Sequence, residues 1–544
     1  MPSIQHRYLL ALPRGDRQIF LAWRLLADDA PGAPFHLERR PGEDEPWQRI
    51  TDAPLTASTN FLDQAPAAIS YQYRVSPLNG SSSEIVSVNA AAPASLAALD
   101  VPLNPDDNPA WIVVGDMEND GRPGYAMTTK RAGTVWVLAY SHTGKLLWER
   151  NTNLPAGGGW NGSAHHVPLL AWDLNNDGRT EVAFHSYRGV FPKDYYDSGV
   201  DEGEFLTALD AETGDLIWES PWPAKKCRVM MTVGHLRGLD QPASVVVLDE
   251  TYGDETLTAI DGATGRHTWQ VDQERAAGHN LDIADIDGDG VQEVICGGIC
   301  YNGDGTIRWE AEEFGHTDIS KPAKIDPGRP GLQIWYAVEK LNTGVYLVDK
   351  DGQTLFKRPY RHAHYGWLAR HAPGVAGLHP HTAEDARAEY GAMDAGMRER
   401  QHNPIFLPDG TEWLNLSEWQ RKNFVPVHWA EGPLVSFAIR KENKRVVQLL
   451  PTGEIEELPN SKLPEGGVYG RNLACIDVIG DYRENIVTVD RDRHTLMVLA
   501  NPNVAQSRGY SPNDDFSYRH DRSQFGSGYY VYLSPPDTIV ESGG

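Results

Sequence analysis

The chain has 544 residues and a formal net charge of −26, with 40% apolar and 23% charged residues, a composition typical of globular proteins. The acidity argues against sequence-independent binding to nucleic acid and against an anionic membrane surface, because both require basic patches. It does not exclude an acidic ligand, since a local cluster of basic side chains or a bound cation reverses the field within a cleft.

The first 97 residues predict a small β-sandwich of the fibronectin-III-like type, because short alternating apolar segments are separated by turn residues. Residues 19–26 form the clearest strand and place Trp23 in the core, and residues 35–39 and 71–75 predict two more strands. The alanine-rich stretch at 90–99 predicts a linker, so residues 1–97 and 98–544 are expected to form two domains.

An internal repeat dominates the chain from about residue 108. Its second half is a tight turn followed by a short apolar strand, usually with an aromatic residue at the fourth position after glycine. The copies are TGKLLWE (143–149), TGDLIWE (213–219), TGRHTWQ (264–270), DGTIRWE (304–310), DGQTLFK (351–357) and the weaker PTGEIEE (451–457). Units of 40 to 70 residues with four strands are typical of propeller blades.

The repeat predicts an all-β fold, an eight-bladed β-propeller with seven blades as the alternative. The predicted blades lie near 110–150, 162–221, 226–271, 278–311, 315–358, 362–415, 421–457 and 468–500. Residues 381–401 read as a helical insert in the sixth blade, and residues 523–534 read as a closing strand.

Acidic loops in the first half of the repeat predict Ca²⁺ sites. Two loops follow the pattern D-x-[DN]-x-D-G with glutamate at the ninth position, and a third loop has glycine there. Hard carboxylate and amide oxygens that converge on a glycine turn suit Ca²⁺ in a structural role. The expected ligands are Asp173, Asn175, Asp177, Glu181, Asp285, Asp287, Asp289 and Glu293, with Asp116 and Asp120 in the third loop.

The order of these motifs resembles the rhamnogalacturonan lyases of the eight-bladed propeller type. The segments that carry the resemblance are FLAWRLLADD (20–29), GHNLDIADIDGDGVQEVICGG (278–298), FGHTDISKPAKIDPGRPGLQIW (314–335) and DVIGDYRENIV (477–487). The resemblance implies a polysaccharide lyase that cleaves a rhamnose-rich, uronate-containing polymer by β-elimination and leaves a 4,5-unsaturated uronate end. It covers the whole chain.

Histidine-rich departures from this pattern, such as SAHHVPL (163–169), resemble the ulvan lyases, so a rhamnose-glucuronate polymer is the alternative substrate. Lysis of either polymer requires neutralisation of the uronate carboxylate, a base for the C5 proton and an acid for the leaving oxygen.

One rim of the propeller is the predicted site, because ligands gather where inner strands begin and second strands end. Five blades place polar side chains at this rim. The predicted substrate-binding residues are His166, Tyr187, His279, His316 and His364.

The resemblance to ulvan lyases implies catalytic roles for a histidine pair, a tyrosine and an arginine. These roles fall on His165, His185, Tyr252, and on Arg188 or Arg266. A second metal site is a further hypothesis, in which His279, His316, Cys296 and Cys300 bind Zn²⁺, because imidazole and thiolate suit that ion.

Two other functional classes remain open from the sequence. ALDAETGDLIWE (208–219) resembles the repeats of quinone-dependent dehydrogenases, although no adjacent cysteine pair is present. A non-catalytic carbohydrate-binding propeller is the third hypothesis.

We expect an acidic polysaccharide as the partner of a monomer, without nucleic acid or membrane. The first residues lack the apolar core of a signal peptide, which predicts a cytoplasmic protein or one whose signal has been removed.

Overall fold

The fold was analysed in a computed structural model. The structure describes residues 6–30, 32–156, 167–190, 203–224, 228–250, 255–273, 278–311, 316–338, 343–360, 363–384, 402–417, 420, 424–432, 434–439, 444–463, 473–490, 492–523 and 531–532.

The N-terminal region forms two facing sheets, as predicted. One contains β1 (Leu10–Gly15), β2 (Gln18–Ala22) and β5 (Asn60–Gln64), and the other contains β3 (Phe35–Arg40), β4 (Gln48–Arg49), β6 (Ser70–Pro77) and β7 (Val86–Asn89). Trp23, Phe35 and Tyr73 are fully buried between them, so the alternating apolar residues of the strands supply the core.

Eight blades of four antiparallel strands follow in the described part of the chain, and the sixth blade carries a fifth strand, which confirms the predicted eight-bladed propeller. Blades 1 to 4 comprise β9 (Asn108–Gly115), β10 (Gly124–Arg131), β11 (Thr134–Tyr140), β12 (Leu146–Pro155); β13 (Leu169–Trp172), β14 (Glu181–Tyr187), β15 (Glu204–Asp210), β16 (Leu216–Pro221); β17 (Arg228–Gly234), β18 (Ser244–Glu250), β19 (Glu255–Asp261), β20 (His267–Gln273); and β21 (Leu281–Ala284), β22 (Glu293–Cys296), β23 (Ile299–Tyr301), β24 (Ile307–Glu310).

The remaining blades repeat the pattern, and neighbouring inner strands contact one another through most of the ring. Blades 5 to 8 comprise β25 (Thr317–Ala323), β26 (Gln333–Val338), β27 (Gly344–Val348), β28 (Thr354–Arg358); β29 (Ala363–Ala369), β30 (His379–Glu384), β31 (Pro404–Phe406), β32 (Glu412–Asn415); β33 (Phe424–Val427), β34 (Ser436–Ile439), β35 (Arg445–Leu449), β36 (Ile455–Lys462); and β37 (Leu473–Ile476), β38 (Asn485–Asp490), β39 (Thr495–Leu499) with β8 (Ala97–Pro102) as the fourth strand.

The ring closes through β8, which pairs with β39, so a strand from the start of the propeller completes the last blade. The predicted domain boundary at 97/98 falls at the beginning of this strand. The expectation of a closing strand at 523–534 needs correction, because β40 (Val531–Tyr532) pairs in parallel with the inner strand β29 of blade 6. Of the predicted helical insert, residues 381–384 continue β30, and 385–401 lie outside the described residues.

The TGxxxW repeat is a contact between neighbouring blades. Each indole covers the turn glycine of the next blade, whose φ near +70 to +84° and lack of space for a Cβ both require glycine. Each indole N–H also donates to a carbonyl of that blade. The bonds are Trp148 to Ala211 (2.8 Å), Trp218 to Gly262 (2.8 Å), Trp269 to Gly303 (3.0 Å) and Trp309 to Lys350 (2.9 Å). The resemblance to quinone-dependent dehydrogenases therefore has a purely structural explanation.

A short helix, α1 (Phe516–Ser523), packs against the inner strands at one end of the ring. Its Asp521 accepts a hydrogen bond from Lys321, which also donates to Asp282. Its Arg522 pairs with Glu484 of blade 8. The sequence did not predict this helix, because its charged residues are buried by partners from distant blades.

Acidification should lower the stability of the protein because helix α1 contains a buried histidine, His520. Nε2–H donates to Val233 O at 2.8 Å, Nδ1 accepts from Gln292, and burial lowers the pKa of His520 to about 4. An unfolded histidine protonates near pH 6.5, so the unfolded chain binds more protons between about pH 6.5 and 4. Stability should therefore fall across that interval by about 3 kcal/mol from this group.

The test is the melting temperature between pH 7.5 and 4. The loss on acidification should be smaller in His520→Gln, which keeps a side-chain donor without a titrating ring, than in the wild type. Exposed His267→Gln serves as the control. Equal pH slopes in all three proteins would contradict the assignment.

Candidate active site

The blades have two chemically different ends. The acidic loops 116–121, 173–178 and 285–290 join the first and second strands at one end, here called the loop end. The inner strands begin at the opposite end, here called the rim end, where Tyr187 pairs with Glu204 as β14 finishes. The predicted site lies at the rim end.

Three side chains converge at the rim end, where blades 4 and 5 meet. Two of them, His279 and His316, were predicted from the sequence, and the third is Asp318. His279 Nε2 and His316 Nε2 are 2.9 Å apart, with the two rings nearly perpendicular, and Asp318 Oδ1 lies 4.0 Å from His279 Nε2. His279 and Asp318 are buried. One ligand atom from each residue lies within 4.8 Å of the others, so the trio is a candidate site for a metal ion.

The donor set suits a small divalent cation. Two imidazole nitrogens and a carboxylate are common Zn²⁺ ligands, whereas Ca²⁺ prefers oxygen alone. Nitrogens at ordinary Zn–N distances in a tetrahedral site lie roughly 3.3 Å apart, so the observed 2.9 Å requires only a small adjustment.

The cysteine part of the predicted Zn²⁺ site is wrong. Cys296 packs in the apolar cluster with Val294 and Tyr301, whereas Cys300 packs in a separate cluster with Tyr336. Burial raises the pKa of both thiols, which disfavours the thiolate form that binds metals. Asp318, instead of the cysteines, completes the candidate cluster. The alternation His-Thr-Asp at 316–318 is the sequence feature that could have predicted it.

His185 lies at the rim end of blade 2 in a rigid setting. Its Nε2 is 3.0 Å from Glu204 Oε1, and its ring stacks on Trp222 at 4.0 Å and 7°. Glu204 is buried, so this carboxylate fixes the ring orientation and favours the tautomer with the proton on Nε2. The sequence analysis missed Glu204 and Trp222, because they become neighbours of His185 only through strand pairing.

Three other predicted residues have different surroundings. Tyr187 is buried in an apolar cluster between blades 1 and 2, which corrects its assignment as a substrate-binding surface residue. Arg188 pairs with Glu219 and stacks over Phe205, toward the outer strands of the blade. Arg266 lies in an exposed turn at the loop end, because the adjoining Asp261 pairs with Ser244, so its assignment to the rim is wrong.

Predicted residues also fall in parts of the chain that the structure leaves undescribed. His165, His166 and Tyr252 lie outside the described residues, and for His364 only the backbone is described. Their catalytic and substrate-binding roles remain predictions.

The two full acidic loops share one construction. Asp173 and Asp285 each accept hydrogen bonds from the backbone N–H groups of the fifth and sixth loop positions, including those of Gly178 and Gly290. The ninth-position glutamates begin the second strands and accept from backbone N–H groups near the start of the loops. In the second loop, the carboxylates of Asp285, Asp287 and Asp289 lie close enough to share one cation.

Burial strongly perturbs the ninth-position glutamates. It raises the pKa of Glu181 to about 8 and that of Glu293 to about 7. Arg308 pairs with Asp287 and Glu293 in the second loop, where it supplies part of the positive charge that an ion would bring.

The third loop is arranged differently. Asp116 accepts from the backbone of Asp120 and Gly121, but Asp120 pairs with Arg122, and Glu118 lies 2.6 Å from His142 Nδ1. Arg122 and His142 thus engage two of its carboxylates, which weakens the prediction of Ca²⁺ at this loop.

Comparison with known proteins agrees with the architecture. The family described as rhamnogalacturonan lyase family 11, C-terminal domain, matches residues 216–383, and the rhamnogalacturonan I lyases beta-sheet domain matches residues 5–92. The first range contains His279, His316 and Asp318. The chain is therefore related to the rhamnogalacturonan lyases of family 11.

Two rhamnogalacturonan lyases of Bacillus subtilis (strain 168) are similar to this chain. The rhamnogalacturonan exolyase YesX is 29% identical over 62% of this chain and 63% of its own length, and the rhamnogalacturonan endolyase YesW is 26% identical over 94% and 88%. The crystal structure of YesX superposes with a TM-score of 0.78 at 20% identity, covering 99% of this chain and 98% of that one, which confirms the fold.

These relatives favour a rhamnogalacturonan over the ulvan alternative. Among the helices in the described part of the chain, none is long and apolar enough to cross a membrane.

Proposed function

We propose that this protein cleaves a rhamnogalacturonan by β-elimination at a uronate residue. The observation that carries the proposal is the His279–His316–Asp318 cluster at the rim end, within the range that matches the family domain. The relatives named as rhamnogalacturonan lyases supply the substrate class.

Binding of a polyuronate at the rim end must overcome electrostatic repulsion from the acidic protein. A protein of net charge −26 repels a polyuronate, and the elimination develops further negative charge on the substrate carboxylate. A divalent cation held by His279, His316 and Asp318 would neutralise that carboxylate and acidify the C5 proton. Buried Asp318 would hold the two imidazoles as neutral ligands that point at one position.

His185 is the proposed proton acceptor at the same end of the ring. Glu204 keeps the Nε2 proton in place, so the Nδ1 lone pair is available to a C5 proton, and the carboxylate stabilises the imidazolium that forms. Stacking on Trp222 holds the ring plane during the transfer. A catalytic acid for the leaving oxygen is assigned to Tyr252 by the sequence prediction alone.

The test is incubation with rhamnogalacturonan I, ulvan and polygalacturonate, with the ultraviolet absorbance of the unsaturated uronate as the measurement. We expect product from rhamnogalacturonan only. Product from ulvan alone would overturn the substrate class. Saturable binding of rhamnogalacturonan without any product would instead favour the carbohydrate-binding propeller.

We also propose structural Ca²⁺ in the loops at 173–181 and 285–293. Ca²⁺ at 100 times its dissociation constant stabilises by about 2.7 kcal/mol per site, so a chelator should lower the melting temperature and excess Ca²⁺ should restore it. Asp177→Ala should reduce this response, whereas Asp304→Ala, in an exposed turn, should leave it intact. A melting temperature insensitive to chelator would contradict both sites.

A further inference from the structure

Blades 4 and 5 are joined by their backbones at the candidate metal centre. Gly278 forms a parallel β-bridge with Thr317, and the His279 N–H donates to Thr317 O at 2.8 Å. Two isolated bridges occur among the described residues, and the other, between Phe35 and Leu55, lies within the sandwich. The inner strands β21 and β25 therefore meet through a direct backbone contact.

Only glycine allows this contact. Gly278 has a φ of +96°, and a Cβ at this position would lie closer than 3.0 Å to the O, N and C atoms of Thr317. Backbone atoms of a buried strand cannot move aside as a flexible side chain does. Any side chain at 278 would therefore push the starts of the two strands apart.

The bridge lies between the ligands. His279 follows Gly278 directly, and His316 and Asp318 flank Thr317 on the partner strand. Thr317 and Asp318 are fully buried, so neither strand can shift toward solvent to relieve a separation. The 2.9 Å between the two Nε2 atoms is thus coupled to the spacing of the backbones.

We propose that Gly278 is a positioning residue for the metal centre, and that its bridge to Thr317 sets the separation of the ligands that blades 4 and 5 contribute. The inference rests on the proposed function for the use of the centre. Its test is metal binding, which does not depend on lyase activity.

The experiment compares Gly278→Ala with Gly432→Ala. Both glycines have positive φ, at +96° and +97°, so both variants carry the strain of a left-handed backbone. A Cβ at Gly432 meets nothing within 4 Å, so only the variant at 278 separates the strands. Chelator-treated, full-length protein is titrated with Zn²⁺ by calorimetry, after circular dichroism has confirmed folding. Titration with Ca²⁺ is carried out in parallel.

We expect Gly278→Ala to weaken Zn²⁺ binding at this centre at least 10-fold and Gly432→Ala to leave it unchanged. In a His316→Ala background, Gly278→Ala should cause little further loss, because one of the two imidazoles it positions is already absent. Equal affinities in the wild type and Gly278→Ala, or additive losses in the double variant, would overturn the proposal.

A measurement on the wild type covers the case in which Gly278→Ala does not fold. If the bridge and the centre are coupled, Zn²⁺ must stabilise the bridge as the bridge stabilises Zn²⁺ binding. Hydrogen exchange of the peptide containing His279 should therefore slow on addition of Zn²⁺. Unchanged exchange at saturating Zn²⁺ overturns the inference. Tight Zn²⁺ binding by a protein that cleaves no rhamnogalacturonan would refute the proposed function alone.

Discussion

Asp318→Asn should reduce kcat/KM on rhamnogalacturonan by about 100- to 1,000-fold, the usual effect of removing one group that stabilises developing charge. Asp318 is fully buried, and its carboxylate is the only anionic member of the trio with His279 and His316. The amide keeps the volume but supplies no charge for a cation. Zn²⁺ affinity should fall with the activity, because both depend on the same oxygen.

The matched control is Asp63→Asn in the sandwich. Asp63 is also a buried carboxylate, but it accepts hydrogen bonds from Arg39 and Tyr73, far from the rim in the chain and in the fold. Its loss should lower the melting temperature and leave the turnover of folded protein unchanged. An Asp318→Asn variant with wild-type kinetics would remove the metal centre from the mechanism.

Arg522→Met should destabilise the protein by about 3–5 kcal/mol, the usual result of breaking a buried ion pair from one side. Glu484 Oε1 accepts from Arg522 Nη2 at 2.5 Å and from the Tyr518 hydroxyl at 2.9 Å, and Oε2 accepts from the His428 N–H. Without Arg522, a fully buried carboxylate would lose its countercharge. The melting temperature measures the loss.

A double variant distinguishes the contribution of the ion pair to stability from the contribution of side-chain packing. Glu484→Gln with Arg522→Met removes both charges while the amide oxygen still accepts from the His428 N–H, so it should recover part of the lost stability. A double variant that is less stable than Arg522→Met alone would show that packing, and not the stranded charge, causes the effect.

The sequence predicted the features that depend on short-range pattern. The turn-strand repeat predicted the blades and their order, and the acidic loops predicted where aspartates cap the turns. The two histidines of the candidate metal centre were singled out because each lies at the start of an inner strand. Local spacing carries this information, since each blade is one repeated unit.

The features that were missed or misplaced depend on contacts between distant segments. Asp318 completes a cluster across two blades, and Glu204 reaches His185 from the neighbouring strand. Arg266 was placed at the wrong end because the TGxxxW turn faces the loop end, which only strand pairing reveals. Closure by β8 and the helix α1 bring together residues hundreds of positions apart.

The blade-to-blade contacts are uneven around the ring. Indole N–H bonds link blades 1 through 5, whereas Phe356 covers Gly410 of blade 6 without such a donor, and Leu414 lies beside Gly453 of blade 7. One arc of the ring therefore has a hydrogen bond at each seam between blades, whereas the described turns at Gly410 and Gly453 have apolar contacts alone. His279, His316 and Asp318 lie in the hydrogen-bonded arc, so we expect a local separation of blades 5, 6 and 7 at those apolar seams to leave the His279–His316 distance unchanged.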